Sequence, residues 1–152
     1  MIDPSLAGFL EEGLGIHIGT RNDRLQPNGA RATAAKVEAD GRHLIVYVPR
    51  VAAPFVLPDL KSNGQAAVVF GRPTDDRACQ VKGVFVNSRP ARAAERPFVM
   101  EQWDRFLANL ERIGIPGQAV SGWTTWPLVA IRLRATALFN QTPGPGAGAP
   151  LS

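Results

Sequence analysis

The chain has 152 residues, 45% apolar and 20% charged, the balance of one globular domain whose core needs neither disulfide nor metal. No apolar run approaches the ~18 residues that cross a bilayer, and Met1-Ile2-Asp3-Pro4 lacks the basic start of a secretory signal, so a cytoplasmic protein with no membrane partner is expected. Seventeen Lys and Arg against thirteen Asp and Glu give a net charge of +4. That surplus favours an anionic partner, and without a Lys/Arg block or a basic run interleaved with aromatics it points to a small phosphorylated ligand and not to nucleic acid.

Asp3-Pro4 reads as an N-cap followed by proline at the first helical position, and Leu6, Phe9 and Leu10 share one face before Gly13, which predicts a short opening helix. Gly15–Arg21 alternates Ile16 and Ile18 with His17 and Gly19 and predicts strand one, while Asn22–Gly29 is dense in turn formers and predicts a loop. Arg31–Ala39 and His43–Val48 predict strands two and three, joined by a tight hairpin at Asp40-Gly41. Val51–Asn63 has Val56, Leu57 and Leu60 at helical spacing but also Pro54 and Pro58, so a short or broken helix ending at Asn63-Gly64 is expected.

Ala66–Phe70 and Ala78–Val86 predict an antiparallel hairpin across Gly71, Pro73, Asp75 and Asp76, its first member apolar enough to be buried on both faces. After an Arg89-Pro90 turn, Pro97 opens a long amphipathic helix with Val99, Trp103, Phe106, Leu107, Leu110 and Ile113 on one stripe and Glu101, Arg105 and Arg112 opposite. Ile115–Trp126 is a loop, and Leu128–Asn140 is the last strand. Val129, Ile131, Leu133, Ala135, Ala137 and Phe139 take one of its faces, and Arg132, Arg134 and Thr136 the other. The organisation is one domain over residues 1–142 and a Pro/Gly-rich tail over 143–152. Cys79 is the lone cysteine, and with only His17 and His43 beside it no zinc spacing can be drawn; it reads as a small buried strand residue, and neither histidine reads as a ligand.

Six strands, a short opening helix, a short helix between strands three and four and a longer helix before the last strand form a mainly-β, six-stranded antiparallel split β-barrel. From about Pro4 to Thr142 the chain resembles the pyridoxamine 5′-phosphate oxidase-like family, the FMN-binding split barrel. The marks are Gly19-Thr20, Arg31-Ala-Thr-Ala-Ala-Lys36, Asn63-Gly-Gln-Ala-Ala-Val-Val-Phe70 and Arg77-Ala-Cys-Gln-Val-Lys-Gly83. The resemblance implies a homodimer with FMN in a groove between subunits. Arg31 and Lys36 match an Arg and a Lys five residues apart that hold the flavin phosphate in that family. On a regular strand an offset of five puts two side chains on opposite faces, so both reach one ligand only through a bulge, a strong twist or different ligand ends.

Where the family has a Ser/Thr-Arg-Lys cluster on the phosphate, this chain has Pro49-Arg-Val-Ala-Ala-Pro-Phe55, leaving Arg50 and, further on, Lys61. Gln80 and Lys82 share a strand face near where the family contacts the ring or the other subunit. Trp123 and Trp126 would cover a planar cofactor or pack the dimer interface. The Trp and Arg motif that holds the substrate of true pyridoxamine phosphate oxidases is missing, so vitamin B6 synthesis is not implied, and the tail is expected to run extended across the barrel or the partner subunit. The implied function is an FMN-dependent oxidoreductase. The alternatives are a non-catalytic ligand-binding or sensing dimer without flavin and an enzyme using a deazaflavin; for haem, His17 and His43 lack the supporting context of axial ligands.

Overall fold

The computed structural model describes residues 1–151, and in it Thr33 divides the segment expected to be one second strand. Pro27–Ala32 (β2) pairs with Gly15–Arg21 (β1), whereas Ala34–Val37 (β3) pairs with His43–Pro49 (β4). With Gln65–Gly71 (β5), Ala78–Pro90 (β6) and Leu128–Asn140 (β7), the antiparallel sheet runs β2-β1-β5-β6-β7-β4-β3. Its two edge strands are therefore consecutive in the chain, and a sheet whose edges meet at one residue has to curl on itself. Seven strands replace the expected six because the bend at Thr33, whose N–H donates to the Tyr47 carbonyl at 2.8 Å, hands the chain from one edge to the other.

β2 also starts earlier than its composition indicates. Only Asn22–Gln26 turns, held by the Asn22 side-chain oxygen on the N–H groups of Arg24 and Gln26, while Pro27, Asn28 and Gly29 pair with Arg21, Thr20 and Gly19. Tertiary pairing here overrides weak strand propensity.

The opening helix forms as its cap predicts: α1 spans Pro4–Leu10, the Asp3 carboxylate accepts the Leu6 N–H at 2.9 Å, and Phe9 and Leu10 are buried. The β3–β4 turn is built on Asp40, which accepts the N–H groups of Arg42 and His43, with Gly41 at φ +62°. The broken helix resolves into a 3-10 turn over Ala53–Phe55 and α2 over Leu57–Asn63, each with proline in its first turn; Gly64, at φ +74°, ends α2. Helix α3 spans Arg96–Arg112 with Pro97 in its first turn.

The inner face of the curled sheet carries the main core. Ile16, Ile18, Val68, Phe70, Leu44, Val46, Val48, Ile131 and Leu133 are each at most 1% exposed, with Leu10 and Leu60 closing the ends. Each such side chain contributes about 1.5–3 kcal/mol of burial. Helix α3 lies on the outer side against β3: Gln102, only 2% exposed, accepts the Ala35 N–H at 3.1 Å and donates to the Ala35 carbonyl at 2.7 Å. Glu11 accepts the Val37 N–H at 2.6 Å. Two side chains thus close the open edge of β3, which would otherwise offer unpaired backbone groups to another strand.

β6 and β7 are long and irregular. β6 continues to Pro90, which pairs with Val129, past the turn expected at Arg89-Pro90. A methyl at Gly83 would lie 2.9 Å from the Arg134 carbonyl oxygen, and the ladder shifts register there, skipping Thr136. Leu138 is consequently buried while Ala137 and Phe139 turn outward, a correction to the alternation read from the sequence. The tail doubles back instead of crossing the barrel: Asn140 N–H donates to the Ala149 carbonyl at 2.8 Å and Leu151 N–H to the Leu138 carbonyl at 2.8 Å, covering β7 beyond the end of β4. Among the described residues no helix is long and apolar enough to cross a membrane.

Candidate functional site

Strand alternation sends Ile16, Ile18 and Thr20 inward and His17 and Gly19 outward, and the pairing register aligns those outward positions with their neighbours. One row across β2, β1, β5, β6 and β7 reads Arg31, His17, Val69, Gln80 and Phe139; the next reads Gly29, Gly19, Ala67, Lys82 and Ala137. Small residues occupy the middle of the second row. They leave a depression of about 480 Å³ bordered by His17, Arg31, Val69 and Gln80, and beside it one of about 420 Å³ bordered by Arg21, Gln65, Lys82 and Thr136. The two share Gly19 and Ala67 as floor. A methyl added at Gly19 would come no nearer than 3.7 Å to the Ala67 carbonyl oxygen, so Gly19 is not demanded by backbone crowding.

Arg31 closes one end of this cleft. Its guanidinium carbon lies 3.9 Å from the centre of the Trp123 ring and 4.9 Å from that of Phe106. Trp123 is held in turn against Trp103, at 6.1 Å between centroids, and Trp103 against Phe106 at 5.5 Å. Among the described residues no carboxylate pairs with Arg31, and its Nε is buried without a hydrogen-bond partner. Burial lowers its pKa from the ordinary arginine value. A buried Nε without a partner carries a desolvation cost, and stacking occupies only the faces of the guanidinium, leaving the Nη groups to meet an anion. His17, across the pair from Arg31, has a pKa lowered first by burial and then by the Arg31 charge, so it lines the cleft as a neutral imidazole that can donate or accept.

The cleft floor is braced from behind. Asp59 on α2 is buried and accepts Thr20 Oγ1 and Asn28 Nδ2, each at 2.8 Å, tying the helix to β1 and β2. Asn63 Nδ2 donates to the Arg21 carbonyl at 2.7 Å.

Of the residues singled out from the sequence, the structure brings Arg31 and Gln80 to one depression, Lys82 to the adjoining one and Trp123 onto Arg31. Lys36 lies elsewhere: it is on the opposite sheet edge, paired with Ile45, with Nζ 5.6 Å from the Phe98 ring. The bend at Thr33 is what separates it from Arg31. Arg50 follows β4 with its backbone N–H on the Pro127 carbonyl, Lys61 is exposed in the last turn of α2, and Trp126 lies 5.2 Å from the Arg96 guanidinium. None of these four borders the cleft. His17, Gly19, Gly29 and Ala67 also border the cleft and were not among the site residues singled out from the sequence; the signal available was the alternation that sends His17 and Gly19 to the face opposite Ile16 and Ile18. Cys79, read as a buried strand residue, is buried, and burial raises its thiol pKa to about 11.

No family model matches the sequence, and no curated protein does. Solved structures do. An F420 reductase superposes with a TM-score of 0.54 at 18% identity, covering 86% of this chain and 93% of that one. A pyridoxamine 5′-phosphate oxidase-like protein of Lactobacillus delbrueckii gives 0.54 at 11% identity, covering 90% and 92%. An FMN-binding protein of Syntrophomonas wolfei gives 0.54 at 13% identity, covering 87% and 85%. The curled antiparallel sheet of this chain therefore has the split-barrel fold of the pyridoxamine 5′-phosphate oxidase-like, FMN-binding proteins.

Proposed function

We propose that this chain is a flavin-dependent oxidoreductase that binds FMN, as a two-fold homodimer, in the outer-face cleft floored by Gly19 and Ala67. The observation that carries the reading is Arg31: a half-buried guanidinium, stacked on Trp123 and paired with no carboxylate among the described residues, at the rim of a shallow cleft of small residues. The residues fit the group. Gly19, Gly29 and Ala67 form a floor on which a planar ring can lie, Gln80 offers both a donor and an acceptor to the ring edge, and Arg31 and Lys82 supply cations at separate ends for the phosphate and the ring's electron-rich edge. FMN when bound supplies the hydride and electron chemistry. The chain's part is to orient the ring, to keep a neutral His17 beside it, and to exclude water by pairing the open cleft with a second subunit. Exposed Val69 and Trp123, 36% and 42% accessible, lie on that face and are suited to such a seam. The likeness to an FMN-binding protein and to an F420 reductase supports a flavin-type cofactor.

A second reading, a dimer that binds a ligand without flavin, is favoured by one observation: Lys36, Arg50 and Lys61 do not join Arg31, so the cleft has fewer phosphate donors than the resemblance implies. Fluorescence titration separates the readings. FMN, and in a parallel titration the deazaflavin F420, is added to purified protein and to Arg31→Ala. The flavin reading expects saturation at micromolar protein and a loss of about 10- to 150-fold in the variant, the worth of one charge-assisted contact at ~1.5–3 kcal/mol. No quenching of FMN by wild-type protein removes it, and quenching of F420 alone transfers the site to a deazaflavin. A monomeric mass at micromolar concentration would contradict the subunit seam.

A further inference from the structure

The outer face has a second half that the proposed cofactor cleft does not use. Across β3, β4, β7 and β6 one row reads Lys36, Ile45, Arg132 and Asn87, and the next reads Ala34, Tyr47, Ala130 and Arg89. A recess of about 330 Å³ lies there, with Ile45 and Ala130 as floor and Asn87, Arg89, Arg92, Arg132 and Glu38 around it. By register Arg89 and Arg132 are diagonal neighbours on paired strands, about 7–8 Å apart at Cα.

Each of the two strand arginines is held by a carboxylate, Arg132 by Glu38 at the rim of the recess and Arg89 by Glu95 outside it. Arg132 gives Nε and Nη2 to the Glu38 carboxylate at 2.8 and 2.7 Å, which leaves Nη1 free. Arg89 gives Nη1 and Nη2 to Glu95 at 2.8 and 2.7 Å, which leaves Nε free. Glu95 is itself fixed by the Tyr47 hydroxyl at 2.9 Å and the Arg92 N–H at 2.7 Å. Among the described residues the Arg92 guanidinium and the Asn87 amide have no hydrogen-bond partner. Arg89 and Arg132 are each paired with a carboxylate, with Asp40 also acting on Arg132, whereas the Arg92 guanidinium is paired with none; the three groups come from β6, from β7 and from the turn after β6. Donors arriving from three directions suit a tetrahedral anion better than a planar one, and their pinned geometry removes the ordering cost that weakens flexible surface cations.

We propose that this recess is a second anion site, distinct from the cofactor cleft, that takes a phosphate group through Arg89, Arg92, Arg132 and Asn87. The inference does not depend on the flavin reading, since it uses none of the residues that border that cleft.

Calorimetric titration of the full chain at low salt tests it, with inorganic phosphate and glycerol 3-phosphate as probes for a free ion and an ester. Saturable binding with a Kd at or below about 1 mM is expected, weakened at least tenfold by Arg92→Ala and by Asn87→Ala. Both side chains are exposed and make no hydrogen bond in the fold, so both variants should fold. Arg24→Ala, at an exposed arginine that borders neither the recess nor the cofactor cleft, should leave phosphate binding within twofold of wild type. Tighter binding of glycerol 3-phosphate than of phosphate would identify an ester as the ligand, and equal affinity a free ion; either supports the site. Absence of saturation below 10 mM, or affinity unchanged in both variants, would overturn it. Loss of FMN affinity in Arg92→Ala as large as its loss of phosphate affinity would also overturn it, because the recess would then belong to the cofactor.

Discussion

The Arg31 guanidinium lies 3.9 Å from the centre of the Trp123 ring, so a cation on β2 is gripped by a residue from the loop before β7, ninety-two positions away in the chain. A stacked pair of this kind contributes about 0.5–2 kcal/mol and holds the guanidinium edge at a fixed angle. Trp123→Ala should therefore weaken FMN binding about 2- to 30-fold without unfolding the protein, because Trp123 is 42% exposed. FMN titration checks this; an affinity equal to wild type would show that Trp123 does not position Arg31 for the ligand.

His17 reports on the same pair. Its pKa is lowered from 6.5 by burial first and by the Arg31 charge second, so removing the charge leaves the burial in place. In Arg31→Ala the His17 pKa should rise part of the way back, as followed by the imidazole proton shifts in an NMR titration. The sign for stability follows: the unfolded chain binds this proton more readily, so the His17 contribution is present above about pH 6.5 and is lost as pH falls below it. A pKa that stays put or falls in the variant would mean that the two side chains do not interact.

Gln102 decides whether β3 keeps its edge. Truncation to alanine strips both the Ala35 N–H and the Ala35 carbonyl of their partners in a buried setting, at about 1–3 kcal/mol for each orphaned group. Gln102→Ala should lower stability by about 2–5 kcal/mol in denaturant unfolding, far more than Arg105→Ala on the exposed face of the same helix. A loss below about 1 kcal/mol would show that water or a backbone shift replaces the amide.

Acid should loosen the other half of the sheet. The Arg89 guanidinium, with the Arg92 N–H and the Tyr47 hydroxyl, holds the Glu95 pKa at about 2, against an ordinary 4.5. A depressed carboxylate stabilises the fold fully above about pH 4.5, and that contribution disappears as pH falls toward about 2. Glu95→Gln should be less stable than wild type at pH 7 and converge with it as pH falls through that window. Parallel pH profiles for the two proteins would contradict the assignment.

Much of the fold was legible because local rules and packing agree. Asp3 with Pro4 starts α1, Asp40 with Gly41 turns the hairpin, Gly64 ends α2, and the stripe Val99, Phe106 and Leu110 turns α3 toward the sheet. What escaped was set by pairing partners far away in the chain. Pro27 and Gly29 read as turn formers yet form a strand because β1 is there to pair with them, and nothing local at Thr33 marks where one edge of the sheet becomes the other. Gln102 interrupts an otherwise apolar stripe, and only the edge of β3 explains its burial. The same bend puts Arg31 on β2 and Lys36 on β3, so of the two only Arg31 borders the cleft, and Phe139 turned outward through a bulge that Gly83 permits.

The location of the ligand is tested most directly by filling the floor of the cleft. Ala67 borders both depressions and points outward beside Gly19, so Ala67→Phe places a ring where the flavin should lie without disturbing the inner core. Far-UV circular dichroism and thermal unfolding should match wild type, while FMN fluorescence quenching is abolished at protein concentrations that saturate wild type. A folded Ala67→Phe protein that binds FMN with wild-type affinity would contradict the placement of the cofactor on this face of the sheet.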